Sequence, residues 1–145
     1  MHPYPHTYVA TASGAVDGSV AIASPQLPTL DTAPPPEFDG PGGVWSPETL
    51  LAAAVADCLI LTFRAVARAS KFEWLELGCR TEAVLERVAG SSKFTRFTSY
   101  ASIRLPAGGD AAKAKLLLEK SEHGCLVANS LSGERVLHVE VSFAG

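Results

Sequence analysis

The spacing of apolar and polar positions divides the chain into elements. "HTYVATASGAVDGSVAIAS" alternates on either side of the turn-forming "SGAVDG", which predicts a hairpin of Tyr8 to Ala12 with Ser19 to Ala23. From Leu50 to Phe63 almost every position is apolar, so the pattern predicts a helix buried on all its faces. A chain of 145 residues can scarcely cover such a helix by itself, and a second subunit is the expected lid. Its start is marked by Ser46 as N-cap, Pro47 at the first helical position and Glu48 at the positive end of the dipole. Trp45 and Leu50 fall at the two positions of a hydrophobic staple.

Two strands are predicted next. "WLELGCRTEAVLERV" places Leu75, Leu77, Cys79, Ala83 and Leu85 on one face, and "KFTRFTSYASIRL" is its partner across "AGSS". "AAKAKLLLEKSEH" reads as a helix between an Asp110 N-cap and a Gly124 stop. "CLVANSL" reads as a short helical turn, and "RVLHVEVSF" as a last strand with Leu137, Val139, Val141 and Phe143 inward. Residues 24–46 hold six prolines, with Gly40, Gly42 and Gly43, and are expected to form a long stiff loop without regular structure. The order β-β-α-β-β-α-β, with mostly hairpin connections, predicts an α+β fold in a single domain over residues 1–145.

Composition narrows the setting. Apolar residues make up 47% and charged residues 19%, as in an ordinary globular chain. A formal charge of −3 with scattered basic residues gives no reason to expect a nucleic-acid partner. No membrane partner is expected either, because no run approaches the roughly 18 uninterrupted apolar residues of a span. The N-terminus lacks the basic flank and apolar core of a secretory signal, so a cytoplasmic address is expected. Three cysteines, with no CxxC and no His/Cys ligand spacing, argue against a disulfide scaffold and a structural zinc site. No metal and no cofactor are expected.

The chemistry centres on two of those cysteines. Cys58 lies in the apolar helix beside Asp57, where desolvation raises a thiol pKa and the neighbouring charge raises it further. A reactive Cys58 therefore demands a cation, yet no arginine or lysine precedes Arg64. Cys125 follows the Gly124 stop and begins the next turn, where amide donors favour an anion. Cys79 shares a strand face with leucines and reads as a packing residue. His123 reads as a solvated helix-end residue, His138 as exposed on the polar face of its strand, and His2 and His6 as part of a terminal segment.

"SPETLLAAAVADC", followed 67 residues after its cysteine by that of "EHGCLVANSL", resembles the OsmC/Ohr family of organic hydroperoxide reductases. Glu48 and Cys58 have that family's spacing, "C-x-V-x-N-S-L" is similar to its second motif, and the order of elements matches over nearly the whole chain. The resemblance implies antiparallel sheets around long central helices in an intertwined homodimer. It also implies a thiol-dependent peroxidase, with Cys58 attacking an organic hydroperoxide and Cys125 closing a disulfide on the resulting sulfenic acid. A dithiol or lipoyl-type donor would recycle that disulfide, and Glu48 would belong to the site.

The chain departs from the pattern in two ways. Val16 and Glu37 stand where members of the family carry a catalytic arginine, and Leu126 replaces the proline that commonly follows the second cysteine. The missing arginine motivates an alternative, a dimeric binding or redox-sensing protein without peroxide turnover. Glu48 raises a separate geometric point. Ten residues of straight helix span about 15 Å, so Glu48 cannot touch Cys58 in one continuous helix. Either the helix begins later than Ser46, or a neighbouring antiparallel helix brings a partner's Glu48 alongside and makes the site composite.

Overall fold

The computed structural model describes residues 1–145, and the backbone forms two compact units, Met1–Leu50 and Leu51–Gly145. In the first, β1 (Thr11–Ser13), β2 (Val20–Ala23) and β3 (Leu30–Thr32) form an antiparallel sheet in that order. The hairpin expected around "SGAVDG" is β1–β2. The expectation of an unstructured loop over residues 24–46 is corrected, because it contains β3 and a 3-10 turn at Pro36–Phe38. Leu30, Asp31 and Thr32 lie between prolines and keep their N–H groups, so they can pair with the free edge of β2. The rest of the loop is pinned. Ala33 N–H donates to Trp45 O at 3.0 Å, and Gly40 N–H to Pro35 O at 3.0 Å. A Cβ on Gly40 would stand 1.7 Å from Pro34 O, so no other residue allows that approach.

Helix α1 runs unbroken from Pro47 to Ala69. Ser46 and Thr49 cap it reciprocally: Thr49 N–H donates to Ser46 Oγ at 3.2 Å, and Ser46 N–H to Thr49 Oγ1 at 2.9 Å. Threonine thus fills the place that glutamate or glutamine takes in a capping box. Val55, Leu59, Phe63 and Ala67 are buried, a stripe of one residue per turn. The other side stays open in the single chain, with Leu61 51% exposed, as expected of a helix that one subunit can scarcely cover. By length and composition alone α1 could cross a membrane. Its stripe instead packs into the core with Leu77, Ile103 and Leu118, and Phe63 meets Trp74 edge-to-face at 5.3 Å.

Strands β4 (Glu76–Val88) and β5 (Ser91–Leu105) form a long hairpin. Its two-residue turn, Ala89 and Gly90, has positive φ at both positions (51° and 84°), as the twist of a tight hairpin requires. A bulge between Val84 and Leu85 breaks the alternation, and Leu85 is exposed instead of facing the core. Leu75 precedes the strand and is also exposed. Helix α2 (Ala111–His123) is capped by Asp110, whose side chain accepts from Lys113 N–H at 3.0 Å. A short α3 (Leu126–Asn129) leads into β6 (Glu134–Phe143). Because two helices carry the chain from β5 to β6, the strands run parallel, and the second sheet is mixed instead of wholly antiparallel. Leu137, Val139 and Val141 pack on the core as expected, while Phe143 at the strand end is exposed.

Candidate active site

The site grows from the junction of α2 and α3. Helix α2 ends at Gly124, whose N–H donates to Lys120 O at 3.0 Å. The next residue, Cys125, donates its N–H to Glu122 O at 3.3 Å, and its carbonyl accepts from Asn129 N–H at 2.9 Å. Its side chain is 1% exposed and packs with Val55, Phe97 and Ala128. Cys58, half-buried on α1, packs against the same cluster. Two residues 67 positions apart in the chain thus meet with both thiols reduced.

Their acidities separate. Burial works to raise the Cys58 pKa, but the Cys125 thiol, the Val127 N–H, the Thr62 hydroxyl and the Leu126 N–H all donate toward its sulfur. Thr62 Oγ1 lies 3.8 Å from Cys58 Sγ. The donors prevail, and Cys58 lies below the ordinary thiol value. At Cys125 burial raises the pKa, donation to Cys58 and the charge there raise it further, and the Ala128 and Val127 amides oppose only in part. It is pushed up to about 11. The first proton to leave the pair therefore comes from Cys58. The groups that lower the Cys58 pKa are hydrogen-bond donors, where the sequence led to the expectation of a cation. The expectation for the amides after Gly124 is corrected, because they act on both sulfurs and leave Cys58 the more acidic.

An apolar pocket of about 440 Å³ opens beside this thiol, lined by Ala54, Asp57, Cys58, Leu61, Thr62, Leu126 and Val127. Asp57 stands at its exposed wall and is not among the groups that shift Cys58. On its inner side Cys125 borders a small cavity of about 10 Å³ shared with Ser99, Glu122 and Arg135.

Glu48 is not brought to the sulfurs within the chain. It occupies the first turn of α1, the helix continues without interruption to Cys58, and ten helical residues span about 15 Å. A later helix start is thereby excluded. Glu48 Oε2 is buried and has no hydrogen-bond partner, an uncommon state for a carboxylate oxygen. Arg64 and Arg68 are exposed, as are His123, His138, His2 and His6. His138 stacks on Tyr100 at 5.0 Å. Cys79 is half-buried against the core, and burial raises its pKa, which suits a packing thiol.

Thr62, Glu122 and Arg135 escape a reading of the sequence, and Asn129 is visible there only as a member of the second motif, without a role. Thr62 had a legible signal, four positions after Cys58 and so on the same helix face. The other three depend on how β6 returns beside α2, which no local pattern records.

A thiol of lowered pKa packed against a second thiol, at an apolar pocket in an α+β chain of two three-stranded sheets and a long helix, is an arrangement of the OsmC type. The chain belongs to the OsmC family: the profile described as OsmC-like protein matches residues 40–140. An uncharacterized protein, YmaD, from Bacillus subtilis (strain 168) is 29% identical over 111 residues, covering 74% of each chain. A crystal structure from Legionella pneumophila is similar at 28% identity and a TM-score of 0.76, covering 97% of this chain and 99% of that one. It is named an organic hydroperoxide resistance protein OsmC, predicted redox protein and regulator of sulfide bond formation. The organic hydroperoxide resistance protein OhrB of Bacillus subtilis shares the fold, at 20% identity and a TM-score of 0.69 over 94% of this chain and 98% of its own.

Proposed function

We propose that the protein is a thiol-dependent peroxidase that reduces organic hydroperoxides. The observation that carries this reading is the packing of Cys58 against the Cys125 cluster, with the more acidic thiol of the two at the wall of the apolar pocket. The Cys58 thiolate attacks the distal oxygen of the hydroperoxide ROOH. The O–O bond breaks, Cys58 becomes a sulfenic acid, and the leaving alkoxide takes a proton to give the alcohol. The Cys125 sulfur then attacks the Cys58 sulfur, and its thiol proton departs with the hydroxide as water. Two electrons pass from the two thiols to the peroxide, and a dithiol of the lipoyl type restores the thiols by exchange. The pocket's apolar lining favours an alkyl chain over hydrogen peroxide.

The working unit in this reading is a homodimer in the cytoplasm. Leu61 and the rest of the open face of α1 supply the apolar surface, and the partner's copy of α1 would bring Glu48 toward Cys58 to complete a composite site. Steady-state consumption of cumene hydroperoxide with dihydrolipoamide as donor tests this proposal. Turnover faster with cumene hydroperoxide than with hydrogen peroxide, and abolished in Cys58→Ser, is expected; no turnover above the uncatalysed rate would overturn it.

A second reading, a binding or redox-sensing protein of the same fold, draws on the buried and unpartnered Glu48 Oε2 and on the absence of arginine from the first 63 residues. In that case the pair would close with disulfide reagents and not with hydroperoxide.

A further inference from the structure

Arg135, at the start of β6, is only 24% exposed at its side chain and makes three donations. Nε donates to Glu122 Oε1 at 2.6 Å, Nη1 donates to Asn129 Oδ1 at 2.6 Å, and Nη2 donates to the Glu122 carbonyl. The two residues it joins are those whose backbones hold Cys125. Glu122 O accepts the Cys125 N–H, and Asn129 N–H donates to the Cys125 carbonyl. Asn129 Nδ2 closes the ring by donating to His123 O at 3.1 Å. One guanidinium thus spans the segment from the last turn of α2 to the end of α3 and borders the small cavity under the Cys125 side chain. The planar fork suits this task, since it reaches a carboxylate, an amide oxygen and a backbone carbonyl at once, which a lysine ammonium cannot.

We propose that Arg135 is the positioning residue of the dithiol site: it fixes the 122–129 segment so that Cys125 faces Cys58 and the Leu126 and Val127 amides stay directed at the Cys58 sulfur. The proposal rests on the Cys58–Cys125 pairing of the peroxidase reading, but it does not need a peroxide. Arg135 touches neither sulfur. Its effect reaches them through the backbone of Glu122 and Asn129.

The test uses the full-length protein as Arg135→Met, Arg135→Lys and Asn129→Ala, with circular dichroism as the fold control. Asn129→Ala removes one of the three Arg135 donations, together with the bond to His123 O, and keeps the Glu122 pair, so it serves if Arg135→Met does not fold. The first readout is the equilibrium of the Cys58–Cys125 disulfide against reduced and oxidised glutathione. Arg135→Met is expected to lower that constant about tenfold or more, with Arg135→Lys and Asn129→Ala between it and wild type. The second readout is the pH profile of Cys58 alkylation, expected to move to higher pH in the same order. Folded variants within twofold of wild type in both readouts, whether or not their urea midpoints fall, would overturn the proposal.

The peroxide arm is separate. With limiting cumene hydroperoxide and dimedone, Arg135→Met is expected to accumulate the Cys58 sulfenic acid adduct where wild type forms disulfide. Wild type that ignores the hydroperoxide, while the glutathione constant still falls in Arg135→Met, removes the peroxidase reading and supports the positioning role.

Discussion

Cys58 and Cys125 pack in one cluster with Val55, Phe97 and Ala128, and each thiol moves the acidity of the other, in opposite directions. Cys125 is held back as a thiol at about 11, while Cys58 is held below the ordinary thiol value. A half-buried cysteine in an apolar helix thus becomes the more acidic member of a pair without a neighbouring cation. The helix gives it a fixed place, and the turn after Gly124 gives it its donors.

The first prediction concerns the Cys125 thiol. Removing it in Cys125→Ala shifts the alkylation profile of Cys58 to higher pH. Cys125→Ser keeps an O–H donor and shifts it less. Iodoacetamide labelling of Cys58 across pH, read by peptide mass spectrometry, checks both. An unmoved profile in Cys125→Ala would mean that the amides and Thr62 act alone.

A second prediction follows by linkage. The lowered Cys58 pKa favours the folded state as pH rises toward the ordinary thiol value of 9.0, where the unfolded thiol also ionises. The raised Cys125 pKa acts the other way: its contribution is complete below 9.0 and is lost as pH rises from there through about 11. Urea midpoints of reduced wild type, taken relative to Cys125→Ser, are therefore expected to hold to about pH 9 and to decline toward pH 11. The oxidised protein, which has neither thiol, shows no such decline.

Two substitutions test the scaffold of the site. Ser46→Ala removes the side chain that accepts Thr49 N–H and is expected to cost about 1 kcal/mol in urea unfolding. Phe63→Ala, at a side chain with 0% exposure, is expected to cost about 3–5 kcal/mol. Cys58 lies between these positions on one helix, so both variants should also slow its reaction with hydroperoxide.

The open face of α1 supplies a fourth prediction. Leu61→Asp places a charge on a residue that is 51% exposed in the single chain. If that face is the dimer interface, size-exclusion chromatography with light scattering shows wild type at twice the chain mass and Leu61→Asp at the chain mass. Equal masses for the two would exclude this face as the interface.

Much of the fold was legible because its signals are local. Ser46-Pro47, Asp110 and Gly124 mark helix ends by hydrogen-bonding needs that any chain must meet, and the structure places the ends there. The alternation of β4 and β5 is legible until the bulge at Val84/Leu85, which a period of two cannot foresee. Strand β3 was hidden by its prolines, since pairing with β2 is decided by the free edge and not by composition. The direction of β6 departs from the antiparallel sheets that the resemblance implied: a helical crossover and not a hairpin carries the chain from β5 to β6, and the two strands pair in parallel.

The candidate site divides along the same line. The pairing of Cys58 with Cys125 was legible through their motif, Glu48 stays apart from them within the chain, and Thr62 went unread despite its helical spacing. The acidity of Cys58 was misjudged because a sequence shows burial and charges but not donors. Leu126 and Val127 act on Cys58 through backbone amides, which carry no residue signature. Arg135 lies ten positions beyond Cys125 and joins Glu122 to Asn129 only after β6 has paired with β5.

The most direct measurement is a single-turnover peptide map. Reduced protein is mixed with one equivalent of cumene hydroperoxide, quenched with an alkylating agent within seconds, and its three cysteines are assigned. A Cys58–Cys125 disulfide with Cys79 alkylated, and one equivalent of cumyl alcohol released, is the predicted outcome. Three alkylated cysteines with the hydroperoxide intact would contradict it.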